Sequence, residues 1–395
     1  MTHYPQVTQT FIAREIVALR DADIVVVPFA MNEPDAHDRH DPEAKDTFYL
    51  KASSPFVFAR SVLAGIRAGP MGFSRTLALA LGTAGTDVGR IAKRLAHFAE
   101  AILVWDECRR RNVGQIHAHF GQTPSTIAWF AAELGRAVGA GPTRWTFSVH
   151  CASEVYDREW TRPNEKLESA DVAVCVCDHT RAQMLWFSKP ALWHKVVVAR
   201  CGIDLEHYPL RNPRPVGTPA KLLTVGRLSP AKAHLILLDA VAQARAAGCE
   251  VSLLIVGGGE LHEAIACRVE KLGIGDHVNL VGEVPPDRVR GYLEQADLFC
   301  LPSLDEGLPV SMMEAMATGV PVVTTYVAGI PELAVDDVTA AVVPAANSQA
   351  LASAIERLIS DAALRERLIE AARRQVEQLH DERTTMPRFM RAIGI

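Results

Sequence analysis

No apolar run in the 395-residue chain approaches the roughly 18 residues that cross a bilayer as a helix, so no spanning segment is expected. Positive charge is not in excess either. With 41 Lys and Arg against 46 Asp and Glu, the formal net charge is −5, which argues against a dedicated nucleic-acid binder and leaves room only for local basic grooves. Cysteine is sparse: eight residues, scattered, with no CxxC pair. Cys175 and Cys177 alternate in an apolar run and share one face of it. These thiols are expected to be reduced and mostly buried, which fits the cytosol. Residues Met1 to Arg20 are polar and broken by Gln and Thr, and do not read as a signal peptide.

What is present is the composition of a soluble globular protein, 49% hydrophobic and 22% charged, with too much chain for one ordinary core. Short β-branched runs alternate with longer amphipathic stretches, the pattern of parallel α/β architecture. A helix over 11–20 is followed by an expected strand at Ile24–Val27 and a polar loop over 32–46 that contains His37 and His40. Helical periodicity covers 54–111, with a glycine-rich joint at 82–89. Strands are expected at 115–120, 145–149, 172–176 and 195–199. Four prolines fall between Tyr208 and Pro219 without periodic apolar pattern, marking 208–219 as a linker. Beyond it, strands at 221–225, 252–256, 278–281, 298–301 and 320–324 alternate with helices, and 348–378 is charged and helical. The expected fold is α/β: a Rossmann-like domain over 1–207, a second over 220–378, facing each other across a cleft, and a segment 379–395 that packs back on the first domain.

The densest chemical signal runs from Leu301 to Val323. A strand ends at Pro302, and a loop delivers Glu306-Gly307-Leu308-Pro309 to a helix start. Ligands of open α/β sheets bind at this carboxyl edge. Free N–H groups and the helix dipole there suit a diphosphate, and Gly307 allows close backbone approach. Glu314 follows eight positions after Glu306. Two glutamates at that spacing are commonplace, and alone they would read as a helix charge and a solvated face. A second string, Gly226-Arg227-Leu228-Ser229-Pro230-Ala231-Lys232, follows another strand. Arg227 can bind an anion bidentately and Lys232 as a point charge. Alone, these two would read as surface cations. Gly257-Gly258-Gly259-Glu260 lacks the third glycine of a dinucleotide fingerprint, since His262 stands in its place. His117 and His119 share one face of a strand, but a metal site would need a third ligand.

Taken together, the Glu306-x7-Glu314 loop and helix resemble the retaining family-4 glycosyltransferases of the GT-B fold (glycosyl transferases group 1). The opening string Tyr4-Pro5-Gln6-Val7-Thr8-Gln9-Thr10-Phe11-Ile12…Glu15-Ile16 and His117-Ala118-His119-Phe120-Gly121 are similar to the exopolysaccharide and colanic-acid branch of that family. The resemblance implies that Glu306 contacts the donor sugar and Glu314 the ribose. It further implies that Gly307 and Leu308 offer backbone amides, that Arg227 and Lys232 neutralise the diphosphate, and that Gly282, Glu283 and Val284 meet the base. It makes His150, after strand 145–149, a catalytic group near the sugar. Ala328-Gly329-Ile330-Pro331-Glu332-Leu333 and Cys201-Gly202-Ile203-Asp204 are further familiar strings. Two departures stand out. Ala233 replaces the usual glycine after Lys232, and His150-Cys151-Ala152-Ser153-Glu154 replaces His-Gly-x-Asp, with Glu154 in the role of the Asp.

Fixed cations at the leaving group stabilise its departing charge, and no Asp-x-Asp stands at a strand end. No metal and no cofactor are therefore expected. The implied function is transfer of a sugar, with retention, from a nucleotide diphosphate sugar to a glycan or lipid-linked glycan in surface polysaccharide synthesis. The expected location is cytoplasmic, with peripheral contact at the inner membrane face. A nucleotide-sugar 2-epimerase of related fold and a non-catalytic nucleotide-sugar binder are the alternatives.

Overall fold

The computed structural model describes residues 1–6, 9–34 and 42–395; His37 and His40, with Val7 and Thr8 of the opening string, lie outside these. The chain divides into two compact units, Met1–Ala199 with Arg388–Ile395, and Arg200–Pro387. The division thus falls at Ala199 and not in the proline-rich stretch. That stretch packs inside the second unit, where Arg211 donates to the Leu293 carbonyl and Arg214 pairs with Asp297 at 3.1 Å. Only the last eight residues join the first unit, rather than all of 379–395.

In the first unit a two-residue parallel pair, β1 (Phe29–Ala30) and β2 (Phe48–Tyr49), stands apart from the main sheet. That sheet is β3 (Gln115–His119), β4 (Arg144–Val149), β5 (Val172–Cys175) and β6 (Val196–Val198), all parallel and in sequential order. Helices at Pro55–Ala68 and Val88–Arg110 begin where Ser54 and Asp87 accept backbone N–H bonds from Val57 and Arg90, which satisfies donors a helix start leaves open. Trp105, Phe130, Trp145 and Phe147 fill the core between helices and sheet. Each such side chain contributes on the order of 1.5–3 kcal/mol on burial.

The expected strand at Ile24–Val27 does not form. Ala22, Asp23 and Ile24 still close the turn that ends helix Thr10–Asp21, with Ile24 N–H donating to the Leu19 carbonyl. Asp23 sits at φ +59, and Val25 is 87% exposed. β-Branched side chains favour a strand only where a ladder partner exists. The run instead lines, with Ile116 and Phe389, a largely apolar cavity of about 500 Å³.

The second unit holds β7 (Ala220–Val225), β8 (Val251–Val256), β9 (Val278–Gly282), β10 (Leu298–Leu301), β11 (Val322–Thr325) and β12 (Ala341–Val343). All pairings are parallel, in the order β12-β11-β10-β7-β8-β9. This is the doubly wound 3-2-1-4-5-6 arrangement, whose direction of winding reverses between its first and fourth strands. Every residue of β10 and β11 is buried, as strands covered on both faces must be, which is why they read as continuous apolar runs. Leu237, Val241, Ile355 and Leu368 from flanking helices close one core over Leu253, Ile255 and Leu298. No helix among the described residues is long and apolar enough to cross a membrane.

Candidate functional site

The reversal point of the second sheet lies between β7 and β10, and the two richest sequence strings are the loops leaving those strands. They are stitched together by backbone: the Leu304 N–H donates to the Ala231 carbonyl at 2.7 Å. Across this seam Lys232 Nζ lies 2.5 Å from Glu306 Oε1, and the Ser303 hydroxyl donates to the same oxygen at 2.7 Å. Ser303 is fully buried, and its carbonyl accepts from Thr325 Oγ1 at 2.6 Å. Glu306 itself is 8% exposed, so its charge is held by a cation and a hydroxyl instead of by water.

Sequence reasoning assigned Lys232 and Glu306 to different parts of a donor; the structure joins them directly. It also missed Ser303. The available signal was a small hydroxyl residue just past a wholly apolar strand, three positions before the glutamate.

The helix Val310–Thr318 starts after Pro309, at the end of the same loop. Gly307 and Leu308 lie between Glu306 and that helix start, and Leu308 is buried. The Glu306 carbonyl accepts from the Gly329 N–H at 3.0 Å, so the Ala328–Leu333 string braces this loop. Glu332 of that string pairs with Arg200 at 2.9 Å. Glu314 is buried, at 6% exposure, in the second turn of the helix. A solvated-face reading of that residue is excluded.

Arg227 is not drawn into the pair. Its side chain is 62% exposed and, among the described residues, reaches Glu260 at 3.5 Å. Lys232 ends a short 3-10 turn, and Ala233 caps helix His234–Ala246 at φ +52, a conformation costly for any residue with a Cβ. The missing glycine is therefore felt in the backbone.

Gly257 explains its own identity: at φ +141, a Cβ there would lie 2.0 Å from the Gly226 carbonyl oxygen. Next to it, Gly258 leaves room for Glu283, whose Cγ would be 2.6 Å from an added Cβ. The Gly282 carbonyl accepts from the Gly257 N–H at 2.8 Å. Gly282, Glu283 and Val284 thus adjoin the glycine-rich turn after β8, and helix His262–Leu272 begins two residues later than Glu260.

In the first unit, His150 follows β4. Glu154 secures its backbone: one carboxylate oxygen accepts from the N–H groups of His150 and Cys151 at 2.9 and 3.0 Å, the other from Gly121 at 2.6 Å. Burial pushes the Glu154 carboxyl up to about 7, against the pull of those three N–H donors. Glu154 therefore shapes the loop after β4. Beside it, buried Lys166 donates to the Gly121 and Gln122 carbonyls and to Ser125.

His117 is bound to Thr146 Oγ1 at 2.8 Å and Ser148 Oγ at 3.0 Å. His119 approaches His150 and Glu15. Among the described residues, no group of three or more His, Cys, Asp or Glu is arranged to hold a metal. None of the eight cysteines, all of them among the described residues, forms a disulfide.

Comparison with solved structures identifies the architecture. A sucrose-phosphate synthase of Thermosynechococcus elongatus superposes with a TM-score of 0.72 at 20% identity, covering 99% of this chain and 94% of that one. An Anabaena protein solved with UDP and glucose gives 0.63 at 19% identity over 74% and 80%. Likeness at such identities defines the fold, and the fold is that of the GT-B glycosyltransferases.

Residues 210–375 match the Glycosyl transferases group 1 family, and the chain carries that domain. A colanic acid biosynthesis glycosyltransferase of Salmonella typhimurium is 30% identical over 268 residues, 66% of this chain and 65% of that protein. An amylovoran biosynthesis glycosyltransferase of Erwinia amylovora is 35% identical over 189 residues, 46% of each. The chain spans between 46% and 65% of the length of these relatives.

Proposed function

We propose that this protein is a retaining, metal-independent glycosyltransferase that moves a sugar from a nucleotide diphosphate sugar to a glycan or lipid-linked glycan. The observation that carries the reading is the Lys232–Glu306–Ser303 cluster at the reversal point of the second sheet, beside a helix N-terminus. A bound diphosphate would draw on the helix amides near Gly307 and Leu308, on Lys232, and on Arg227, which is exposed and free to swing inward. Glu306, released in part from Lys232, would then meet sugar hydroxyls, and Glu314 the ribose. Gly282, Glu283 and Val284 are assigned to the base.

In the reaction the bond from the anomeric carbon to the diphosphate oxygen breaks, and its electron pair leaves with the diphosphate. The acceptor hydroxyl oxygen bonds to the same carbon, and its proton passes to the departing phosphate oxygen. The cations stabilise the charge that grows on the leaving group, more in the transition state than in the ground state. Retention, and the place of His150 near the sugar, rest on the family resemblance.

The names of the relatives favour an acceptor in surface polysaccharide synthesis. We place the protein in the cytoplasm, at most peripheral to the inner membrane face where a lipid-linked acceptor waits; resistance to extraction by high salt and carbonate would count against that.

Thermal-shift screening of nucleotide sugars, with UDP-sugars first, tests donor binding, since a ligand of the native state raises the melting temperature. Mass spectrometry of the product then tests transfer. Donor turnover without any acceptor would instead mark an epimerase, and binding without turnover a non-catalytic nucleotide-sugar protein.

A further inference from the structure

The opening string and the paired histidines take no part in the donor site described above, yet they meet at one place in the first unit. Helix Thr10–Asp21 sets Phe11 against His150, with ring centroids 4.6 Å apart, and carries Glu15 one turn further on. Phe120 lies on His150 from another direction, at 4.9 Å. Its backbone is held at φ +73, a region that costs a bulky residue on the order of 1–3 kcal/mol and recurs at functional sites. His119 stacks on His150 with centroids 5.5 Å apart.

The polar atoms form a line. His119 Nδ1 lies 3.3 Å from His150 Nε2, and His119 Nε2 lies 3.4 Å from Glu15 Oε2. That carboxyl oxygen is buried and has no hydrogen bond of good geometry, a state that costs about 1–3 kcal/mol. His119 Nε2 is the ring nitrogen that faces it.

We propose that Glu15 is a positioning residue which, through His119, fixes which ring nitrogen of His150 carries the proton. The proposal rests on the reading of His150 as a group near the sugar.

The argument is one of donors and acceptors. A neutral imidazole donates from one nitrogen and accepts at the other. All three histidines are held neutral by burial: His117 and His150 are pushed down to about 3, and His119 well below its ordinary value. The charged or titratable groups around the line are few. Arg14 flanks Glu15 on its own helix, His117 flanks His119 on β3, and the Met1 amine, lowered by burial to about 5, is uncharged near neutral pH.

Burial also pushes the Glu15 carboxyl up to about 8, so near neutral pH it keeps its proton and is the donor of the line. His119 Nε2 then accepts, His119 Nδ1–H donates to His150 Nε2, and His150 is left protonated on Nδ1. His150 is thereby a hydrogen-bond donor, suited to a sugar hydroxyl oxygen, and not a base. This gives the opening string a task in the chemistry: it holds the imidazole by Phe11 and sets its tautomer by Glu15.

The test is nitrogen NMR of protein labelled at histidine, with the His150 signals assigned by a His150→Phe variant. Wild type should show His150 as the Nδ1–H tautomer near pH 7. Glu15→Gln keeps a donor in the amide NH2 and should keep that tautomer and the turnover. Glu15→Met fills the space without a donor. It should shift His150 toward the Nε2–H form and lower kcat about tenfold, with little change in KM for the donor sugar. His119→Phe, which cuts the line while preserving a ring, should do the same if Glu15→Met folds poorly. An unchanged His150 tautomer in both Glu15→Met and His119→Phe overturns the relay. A shifted tautomer with unchanged turnover upholds the relay and overturns the role given to His150.

Discussion

Replacing Lys232 by Ala and Glu306 by Gln, singly and together, should give effects of opposite sign on nucleotide binding and a strong coupling in stability. At 2.5 Å the pair attracts with a gross energy of roughly 6–7 kcal/mol for an effective dielectric near 20. Desolvation of two groups exposed by only 21% and 10% cancels much of this. A net coupling of about 1–3 kcal/mol remains, in the range measured for contacting charges. Lys232→Ala leaves the buried Glu306 with the Ser303 hydroxyl but without its cation and should lower stability by about that amount. Glu306→Gln leaves the more exposed Lys232 to water and should cost less, and the double variant should recover most of the loss.

For a bare nucleoside diphosphate, Lys232→Ala removes a cation and uncovers a carboxylate, so binding should weaken about 100-fold, close to 2.7 kcal/mol. Glu306→Gln frees Lys232, and binding should hold or tighten while kcat falls about 10²–10³-fold. Denaturant unfolding gives the stability cycle, and titration calorimetry gives the affinities. Stability losses that add within about 0.5 kcal/mol, or equal weakening of nucleotide binding by both single variants, would refute the reasoning.

The other expectations follow from single contacts. Arg227→Ala should weaken nucleoside diphosphate binding about tenfold while leaving the melting temperature unchanged, because its ionic partner among the described residues is an exposed Glu260 at 3.5 Å. Ala233→Gly should raise stability by about 0.5–1 kcal/mol in denaturant unfolding, since φ +52 is relieved. Gly257→Ala should lower it by at least about 2 kcal/mol, the seam between the loops after β7 and β8 having no room for a methyl group.

Glu15 ionises near 8 in the fold against 4.5 when free, so between these values the folded chain holds the extra proton and stability falls as pH rises. Relative to Glu15→Gln, wild type should lose up to about 1.4 kcal/mol per pH unit from pH 5 to 8, read from unfolding at each pH. Turnover should survive EDTA within a small factor; abolition with rescue by magnesium or manganese would overturn metal independence.

Much of this molecule is legible in one dimension. Runs such as Leu298–Leu301 and Val251–Val256 are apolar throughout because a parallel strand is covered on both faces, and the alternating helices follow from the same geometry. The strings around Arg227, Lys232, Glu306 and Glu314 stand out because a strand end, a glycine and a helix start recur in each. Gly257 is determined by a backbone contact that any side chain would block.

Pairing is what the sequence could not supply. Ile24–Val27 has every local mark of a strand, but a strand exists only with a neighbour, and that neighbour is set by the whole unit. The proline-rich stretch 208–219 reads as a linker because Arg211 and Arg214 find their partners some 80 positions away, near Asp297. Lys232 and Glu306, 74 positions apart, become one ion pair only because the sheet order brings β7 beside β10. Glu15, His119 and His150 fall in line because a helix packs over the ends of two strands. Local chemistry is written residue by residue, while partners distant in sequence are chosen by topology.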